Sequence, residues 1–144
     1  RKGYLHISHL WQEGDTLQLT LPMPVRRIYG NPLVRHQAGL VAVQRGPLVY
    51  CLEQADNGEQ LHNLQLPRDA RFSTVEGKGI FARKILLQAP GYKQTAEDAE
   101  NQALWNYDRA QSSRQPQVLT FIPWFSWANR GEGEMRIWVN ETEA

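Results

Sequence analysis

Carboxylates, imidazoles and one thiol are the side chains in this sequence that could carry chemistry if brought together. Glu132 and Glu134 stand in the Gly-rich stretch Gly131-Glu132-Gly133-Glu134. Two carboxyl groups about 5–10 Å apart can act as acid and base across a glycosidic bond. No third group stands nearby in sequence to raise the pKa of one of them. The flanking glycines supply the backbone freedom of a polar turn, which is the reading these residues favour. His6 and His9 form an HxxH pair. On a helix that spacing could share a metal, but on a strand residues three apart point to opposite faces. The surrounding alternation reads as strand, so no metal is expected. His36 and His62 are isolated in loop-like sequence and read as solvated. Cys51 sits inside the apolar run Leu48-Val49-Tyr50-Cys51-Leu52. A reactive thiolate needs an electropositive, partly exposed setting, so Cys51 is expected to be a small buried hydrophobe. No catalytic, cofactor-binding or metal-ligating residue is assigned.

Recognition is the other chemistry on offer. Gly39, Gly46, Gly131 and Gly133 lack the strand-then-helix context of a phosphate loop and read as turn glycines. Arg26, Arg27, Arg35 and Arg45 form a mild basic cluster among aliphatic residues. Without net positive charge and interleaved aromatics they do not describe a nucleic-acid site; they are expected to be solvated or to pair with carboxylates of another domain. The run Trp124-Phe125-Ser126-Trp127, read as strand, puts Phe125 and Trp127 on one face with Phe121 and Trp124 on the other with Ile122. If both faces are covered, these rings are core. If one face is open, an exposed indole suits an apolar partner or the C–H face of a sugar. Trp11, Trp124 and Trp127 are therefore the candidate interface or sugar contacts.

Period-two alternation sets the elements that must position these residues. Leu5, Ile7, His9 and Trp11 share one face of Tyr4–Trp11, and Leu17, Leu19 and Leu21 share one face of Thr16–Leu21, as in half-buried antiparallel strands. Glu13-Gly14-Asp15 reads as the hairpin turn between them. Pro22 and Pro24 end the second run, because proline cannot donate to a ladder. Further strands are expected at Val25–Tyr29, Leu40–Gln44, Leu48–Leu52 (covered on both faces), Arg71–Val75 and Ile80–Leu87. A final hairpin is expected from Val118–Trp127 and Glu134–Asn140 across Asn129–Gly133. Leu61, Leu64 and Leu66 are apolar but irregular. A polar excursion over about 92–116 carries a helical start at Thr95 and Asp98, running toward Trp105. About eight or nine short strands with turns every 8–12 residues predict an all-β chain, an antiparallel β-sandwich of jelly-roll or immunoglobulin-like type with this excursion before the last hairpin. Residues 1–144 read as one all-β unit, with a subdivision near residue 53 as the alternative.

Composition bounds the function classes. The chain has 144 residues, 41% of them hydrophobic, which fits one globular domain. Sixteen basic and fifteen acidic residues leave a net charge of +1, with no electrostatic drive toward nucleic acid or anionic membrane. A single cysteine excludes an internal disulfide and a thiolate metal cage. No apolar run approaches the ~20 residues of a membrane span. The sequence opens at Arg1 without a methionine and reads as a piece of a longer polypeptide, so the lack of a signal segment carries no information on localisation.

Two unbroken stretches, Leu21–Glu53 (LPMPVRRIYGNPLVRHQAGLVAVQRGPLVYCLE) and Ile122–Val139 (IPWFSWANRGEGEMRIWV), resemble the C-terminal β-rich region of bacterial glycoside hydrolases of family 127, formerly DUF1680. The resemblance covers most of the chain and is weakest between about 78 and 116. It implies a parent enzyme of β-L-arabinofuranosidase type, retaining, with a cysteine nucleophile and a glutamate near zinc in an upstream α/α barrel. None of that machinery matches residues here, and nucleophile status is not carried onto Cys51. The implied role of this chain is non-catalytic: packing on the upstream barrel of the same polypeptide or forming homodimer contacts, with carbohydrate bound only through the parent and zinc only there. The alternative is an independent carbohydrate-binding module presenting exposed tryptophans.

Overall fold

The computed structural model describes residues 3–96 and 112–143. Among the described residues nine strands carry the fold. They are β1 (Val25–Tyr29), β2 (Leu40–Arg45), β3 (Leu48–Glu53), β4 (Leu64–Pro67), β5 (Ser73–Glu76), β6 (Ile85–Ala96), β7 (Ser112–Pro123), β8 (Met135–Arg136) and β9 (Val139–Thr142). A single helical turn, α1 (Gln54–Asn57), follows β3. The all-β expectation holds. The pairings, however, run β2–β9–β4–β6–β7–β3 and return to β2, so six strands close into a barrel where a two-layer sandwich was expected. Closure occurs because β2 bonds two partners along its length: β9 takes Leu40 and Val41, and β3 takes Val43 to Arg45. Closure removes the exposed sheet edges that an open sandwich must protect. One pairing, β4 with β9, is parallel. Strands β1, β5 and β8 are added outside the ring, on β2, β6 and β3.

Alternation explains which side chains fill the barrel. Val41 and Val43 from β2, Tyr50 and Leu52 from β3, Leu64 and Leu66 from β4, Leu87 and Ala89 from β6, and Leu119 and Phe121 from β7 are all buried in one cluster. Leu64 and Leu66, irregular in sequence, are thus regular in structure. The Tyr50 hydroxyl donates to the carbonyl of Ile85 at 2.7 Å, which lets a phenol sit in an apolar interior. Cys51 and Ile122 point the other way and pack under Phe81 in a second cluster. The expected cover on both faces holds for Tyr50–Leu52 but not for the start of the run, where Leu48 is half-buried and Val49 is exposed. Gly91 marks the tightest approach of the wall: a Cβ there would lie 2.6 Å from Leu119 Cδ1 and 2.7 Å from the carbonyl oxygen of Gln65.

Several expectations need correction. The run 80–87 is not one strand, because Gly79–Phe81 forms a 3-10 turn and β6 starts only at Ile85. The expected excursion is shorter, since β6 and β7 pair in register from Leu87↔Phe121 to Ala96↔Ser112; the helix toward Trp105 falls outside the described residues. The last two segments do not form a hairpin with each other. β3 lies between them, pairing β7 through Tyr50–Leu52 and β8 through Leu52 and Glu53. Tyr4–Trp11 and Thr16–Leu21 form no ladder, and every residue from Gly3 to Pro22 is exposed. Their turn is present, with Asp15 N donating to Gln12 O at 3.1 Å and Gln12 N to Asp15 Oδ2 at 2.9 Å. A two-stranded ribbon without a third strand or a packing face is at best marginal in water.

The arginine cluster also reads differently. Arg27 is an internal clamp: Nη2 donates to the carbonyls of Pro67 at 2.7 Å and Ala70 at 3.1 Å, and Nη1 to Glu141 Oε1 at 3.3 Å. Glu141 on β9 also accepts from the Tyr29 hydroxyl at 2.7 Å and from Arg68 Nη2 at 3.0 Å. Burial pushes the Glu141 carboxyl up, but the hydrogen bonds from Tyr29 and Arg68 and the charges of Arg68 and Arg27 outweigh it and leave its pKa lowered.

Two predictions follow from this packing. Gly91→Ala should cost about 1–3 kcal/mol because neither backbone nor core can yield freely; an unchanged urea midpoint would show that β4 can move aside. A carboxyl whose folded pKa lies below its unfolded value stabilises the fold above the unfolded value and loses that contribution as pH falls. With an ordinary value of 4.5 for Glu141, the melting temperature should drop as pH falls below that value. Glu141→Gln should melt lower at pH 7 and show a flatter acid limb; parallel acid limbs would contradict the assignment.

Candidate functional site

Strand β7 ends at Pro123, and the next residues turn instead of continuing the ladder. Trp124–Ser126 form a 3-10 turn, closed by Trp127 N donating to Trp124 O at 3.0 Å. The expected two-faced strand of aromatics is therefore absent. In its place is a loop that runs to Glu134. Its buried residue is Ser126, while Trp124, Phe125 and Trp127 are 50, 59 and 41% exposed. These rings do not belong to the core. Trp127, Ala128, Gly131, Glu132 and Gly133 line an open cleft of about 430 Å³ on the same loop.

The loop is anchored by charge. Glu53, the last residue of β3, is only 4% exposed. It accepts Arg130 Nε at 2.9 Å and also bonds Arg130 Nη2. Asp56 in α1 takes Arg130 Nη1 at 2.7 Å and shares Nη2. The guanidinium lies over the Phe81 ring, 4.8 Å from its centroid. The hydrogen bond to Asp56 first, and that to Glu53 after it, hold the Arg130 pKa above its ordinary value against the opposing pull of burial. The other Glu53 oxygen accepts Ala128 N at 3.2 Å. Ala128 has φ +65, a left-handed conformation that favours glycine, and the carboxylate holds it there.

Glu132 and Glu134 are not brought together as an acid–base pair. Glu134 takes the backbone N–H groups of Gln60 at 3.0 Å and Leu61 at 2.8 Å, fastening the loop's far end to the turn before β4. Leu61 N–H first, then Gln60 N–H, lower its pKa. Glu132 is exposed at the cleft. Cys51 is fully buried behind Glu53; burial first and the Glu53 charge second push its thiol up to about 12. Such a thiol is a poor nucleophile at neutral pH. His9 bonds Asp15 Oδ2 at 3.1 Å and meets Trp11 edge-on at 5.1 Å. His36 and His62 are exposed and lie in separate turns. Trp11 lies on the exposed opening segment, 55% open.

The zinc that the family resemblance implies finds no fit here. The one thiol is buried and held protonated, and the described residues offer no group of three or more His, Cys, Asp or Glu that could hold a metal. The structural residues that sequence reasoning missed are Glu53 and Arg130. A carboxylate closing a continuously apolar strand was the available signal, since a buried charge requires a partner.

The geometry is that of an anchored, aromatic-tipped loop on a small closed β-barrel. The profile of the glycoside hydrolase family 127 C-terminal domain matches residues 25–140, and the chain belongs to that domain family. It is 36% identical over 131 residues to the non-reducing end β-L-arabinofuranosidase of Bifidobacterium longum subsp. longum, a match covering 86% of this chain and 20% of that enzyme. A crystal structure of a family 127 β-L-arabinofuranosidase from Geobacillus stearothermophilus T6 superposes with TM-score 0.68 at 44% identity, over 84% of this chain and 19% of that one. A family 127 β-arabinofuranosidase structure gives TM-score 0.71 at 28% identity, over 83% and 17%. The chain thus spans about one fifth of the relatives it matches.

The anchor yields a prediction. Arg130→Met leaves Glu53 buried and unpaired beside Asp56, which should cost about 3–5 kcal/mol. Neutralising all three, with Glu53→Gln and Asp56→Asn added, should recover much of that loss. Denaturant midpoints read the stability, and tryptophan emission reads the loop. A single variant as stable as wild type would mean the cluster is not what holds the loop.

Proposed function

We propose that this chain is the non-catalytic C-terminal domain of a β-L-arabinofuranosidase-type glycoside hydrolase, and that it packs against the remainder of the parent polypeptide, which carries the catalytic α/α barrel. One observation carries the reading. The chain's own barrel is closed and filled, yet Tyr4, Leu5, Leu10, Trp11, Leu17, Leu19 and Leu21 all stand more than half exposed. So many exposed apolar side chains in one short segment mark a contact face. The relatives' fivefold greater length supplies a polypeptide to cover it. The chemistry would then lie in that remainder, because the described residues offer no activated nucleophile and no acid–base pair.

The exposed Trp124, Phe125 and Trp127 favour one second reading, a carbohydrate-binding module. The anchored loop would present indole faces without an ordering cost at binding, and Glu132 would accept from sugar hydroxyls at the cleft.

The two readings separate in one set of assays. The 144-residue chain should release no nitrophenol above the buffer rate from a panel of aryl glycosides that includes the β-L-arabinofuranoside. Turnover abolished by Cys51→Ala, Glu132→Gln or Glu134→Gln would refute the accessory role. Arabino-oligosaccharide should leave tryptophan emission unchanged; a saturable shift lost in Trp127→Ala would replace docking with sugar binding.

A further inference from the structure

We propose that residues 4–21 are a strand ribbon that completes a β-sheet outside this barrel, contributed by the part of the same polypeptide that a family 127 enzyme carries beyond this domain. The proposal rests on the accessory-domain reading and names the partner of its contact face.

The segment has the pattern of a strand pair but lacks a ladder. Leu5, Ile7 and Trp11 alternate on one arm and Leu17, Leu19 and Leu21 on the other. Alternation with period two places these side chains on one face of an extended arm. All of them are exposed, Ile7 least at 43% and Leu5 most at 75%. The connecting turn is already built, with Gly14 at φ +93 and Asp15 held by Gln12 and His9. What is missing is a third strand and an apolar layer beneath.

The charge pattern argues against solvent as the natural neighbour. The segment's acidic residues, Glu13 and Asp15, are both at the turn, and its arms 4–11 and 16–21 contain no Lys, Arg, Asp or Glu. Strands meant to lie at an open edge are usually guarded by charge or proline. These arms are unguarded, so they read as strands meant to be paired.

The ribbon's own barrel is not the sheet in question. The six-strand ring is closed without it. Pro22 and Pro24 separate the ribbon from β1 and lack the N–H that a continuous ladder would need. Contact with the barrel begins between the two prolines: Met23 packs over Gly46, and Gly46 N donates to Pro24 O at 3.2 Å. The domain profile likewise begins at Val25, so the ribbon lies outside the domain that the family shares here. An added strand is held by main-chain hydrogen bonds and by pockets for alternate side chains, the two resources that residues 4–21 display.

Amide hydrogen exchange tests this on the 144-residue chain and on the full polypeptide that contains it. In the short chain, amides of residues 4–11 and 16–21 should exchange nearly as fast as an unstructured peptide. In the full polypeptide they should be protected by about 100-fold or more, as paired strands are. Gln18→Pro and Leu19→Pro, one of which must remove a ladder donor, should abolish that protection while leaving exchange within the barrel core unchanged. Fast exchange in the full polypeptide would overturn the proposal. So would protection in the short chain: independent of concentration it would place the ribbon on its own barrel, and rising with concentration it would place it on a second copy. If the ribbon is unprotected while the full polypeptide hydrolyses arabinofuranoside and the short chain does not, this proposal fails and the accessory reading stands. If the short chain is itself active, the accessory reading fails whatever the exchange shows.

Discussion

The buried carboxylate of Glu53 is the constraint around which the outer half of the molecule is arranged. A charge at 4% exposure is tolerable only if it is paired and its lone pairs are used. Glu53 meets that demand with Arg130 on one oxygen and Ala128 N on the other. Asp56, one helical turn along, balances the guanidinium's remaining donors. Three consequences share this origin. Strand β3 ends where the charge begins, the loop after β7 folds back over it, and the Cys51 thiol behind it is held neutral.

A second carboxylate repeats the device at the other end of the same loop. Gln60, at φ +58, is left-handed like Ala128, and its N–H is also held by a distant carboxylate, that of Glu134. Left-handed non-glycine residues cost of order 1 kcal/mol or more and persist where their surroundings over-determine them. Here each is fixed by an acidic side chain more than seventy positions away in sequence. The loop is therefore tied at Ala128 and Arg130 and again at Glu134, and the exposed tryptophans, held between the end of β7 and the first of those ties, are presented by a loop of defined shape. Rigid presentation of this kind reduces the entropy lost when a partner is met.

Local features of the fold were legible in the sequence where one residue's neighbours decide its state. The run Leu48–Leu52 announced a strand, buried on both faces from Tyr50 onward, and Glu13-Gly14-Asp15 announced a turn that is present. What could not be read were decisions made by distant residues. Closure of the barrel depends on β2 pairing with both β3 and β9, and no spacing in the sequence records that β9 returns to Leu40. The strand expected through Trp127 failed because Pro123 ends the ladder and Arg130 draws the chain toward Glu53, 77 residues away. Arg27 was read as an outward cation and is an inward clamp, because its acceptors are carbonyls at Pro67 and Ala70. The family relationship was carried by Leu21–Glu53 and Ile122–Val139. These stretches contain Glu53, Arg130 and most of β1, β2 and β3, which suggests why they are the recognisable ones.

The two exposed surfaces call for different kinds of partner. The ribbon at 4–21 offers extended arms outside any ladder with an apolar face, and such a surface binds in one register, because a one-residue slip would turn every leucine to the wrong side. The loop at 124–127 offers π faces, which tolerate many orientations. On the proposed reading the ribbon would fix the domain's position. That constraint would pass through the prolines at 22 and 24 into β1, across the β1–β2–β3 ladder to Glu53, and so to Arg130 and the aromatic loop. Every link after the prolines is a hydrogen-bonded ladder or a buried ion pair, so little freedom remains along the path. On that reading a domain built this way would place three aromatic rings at a set position on a larger polypeptide, and whether they meet sugar or protein there would depend on what that polypeptide brings opposite them.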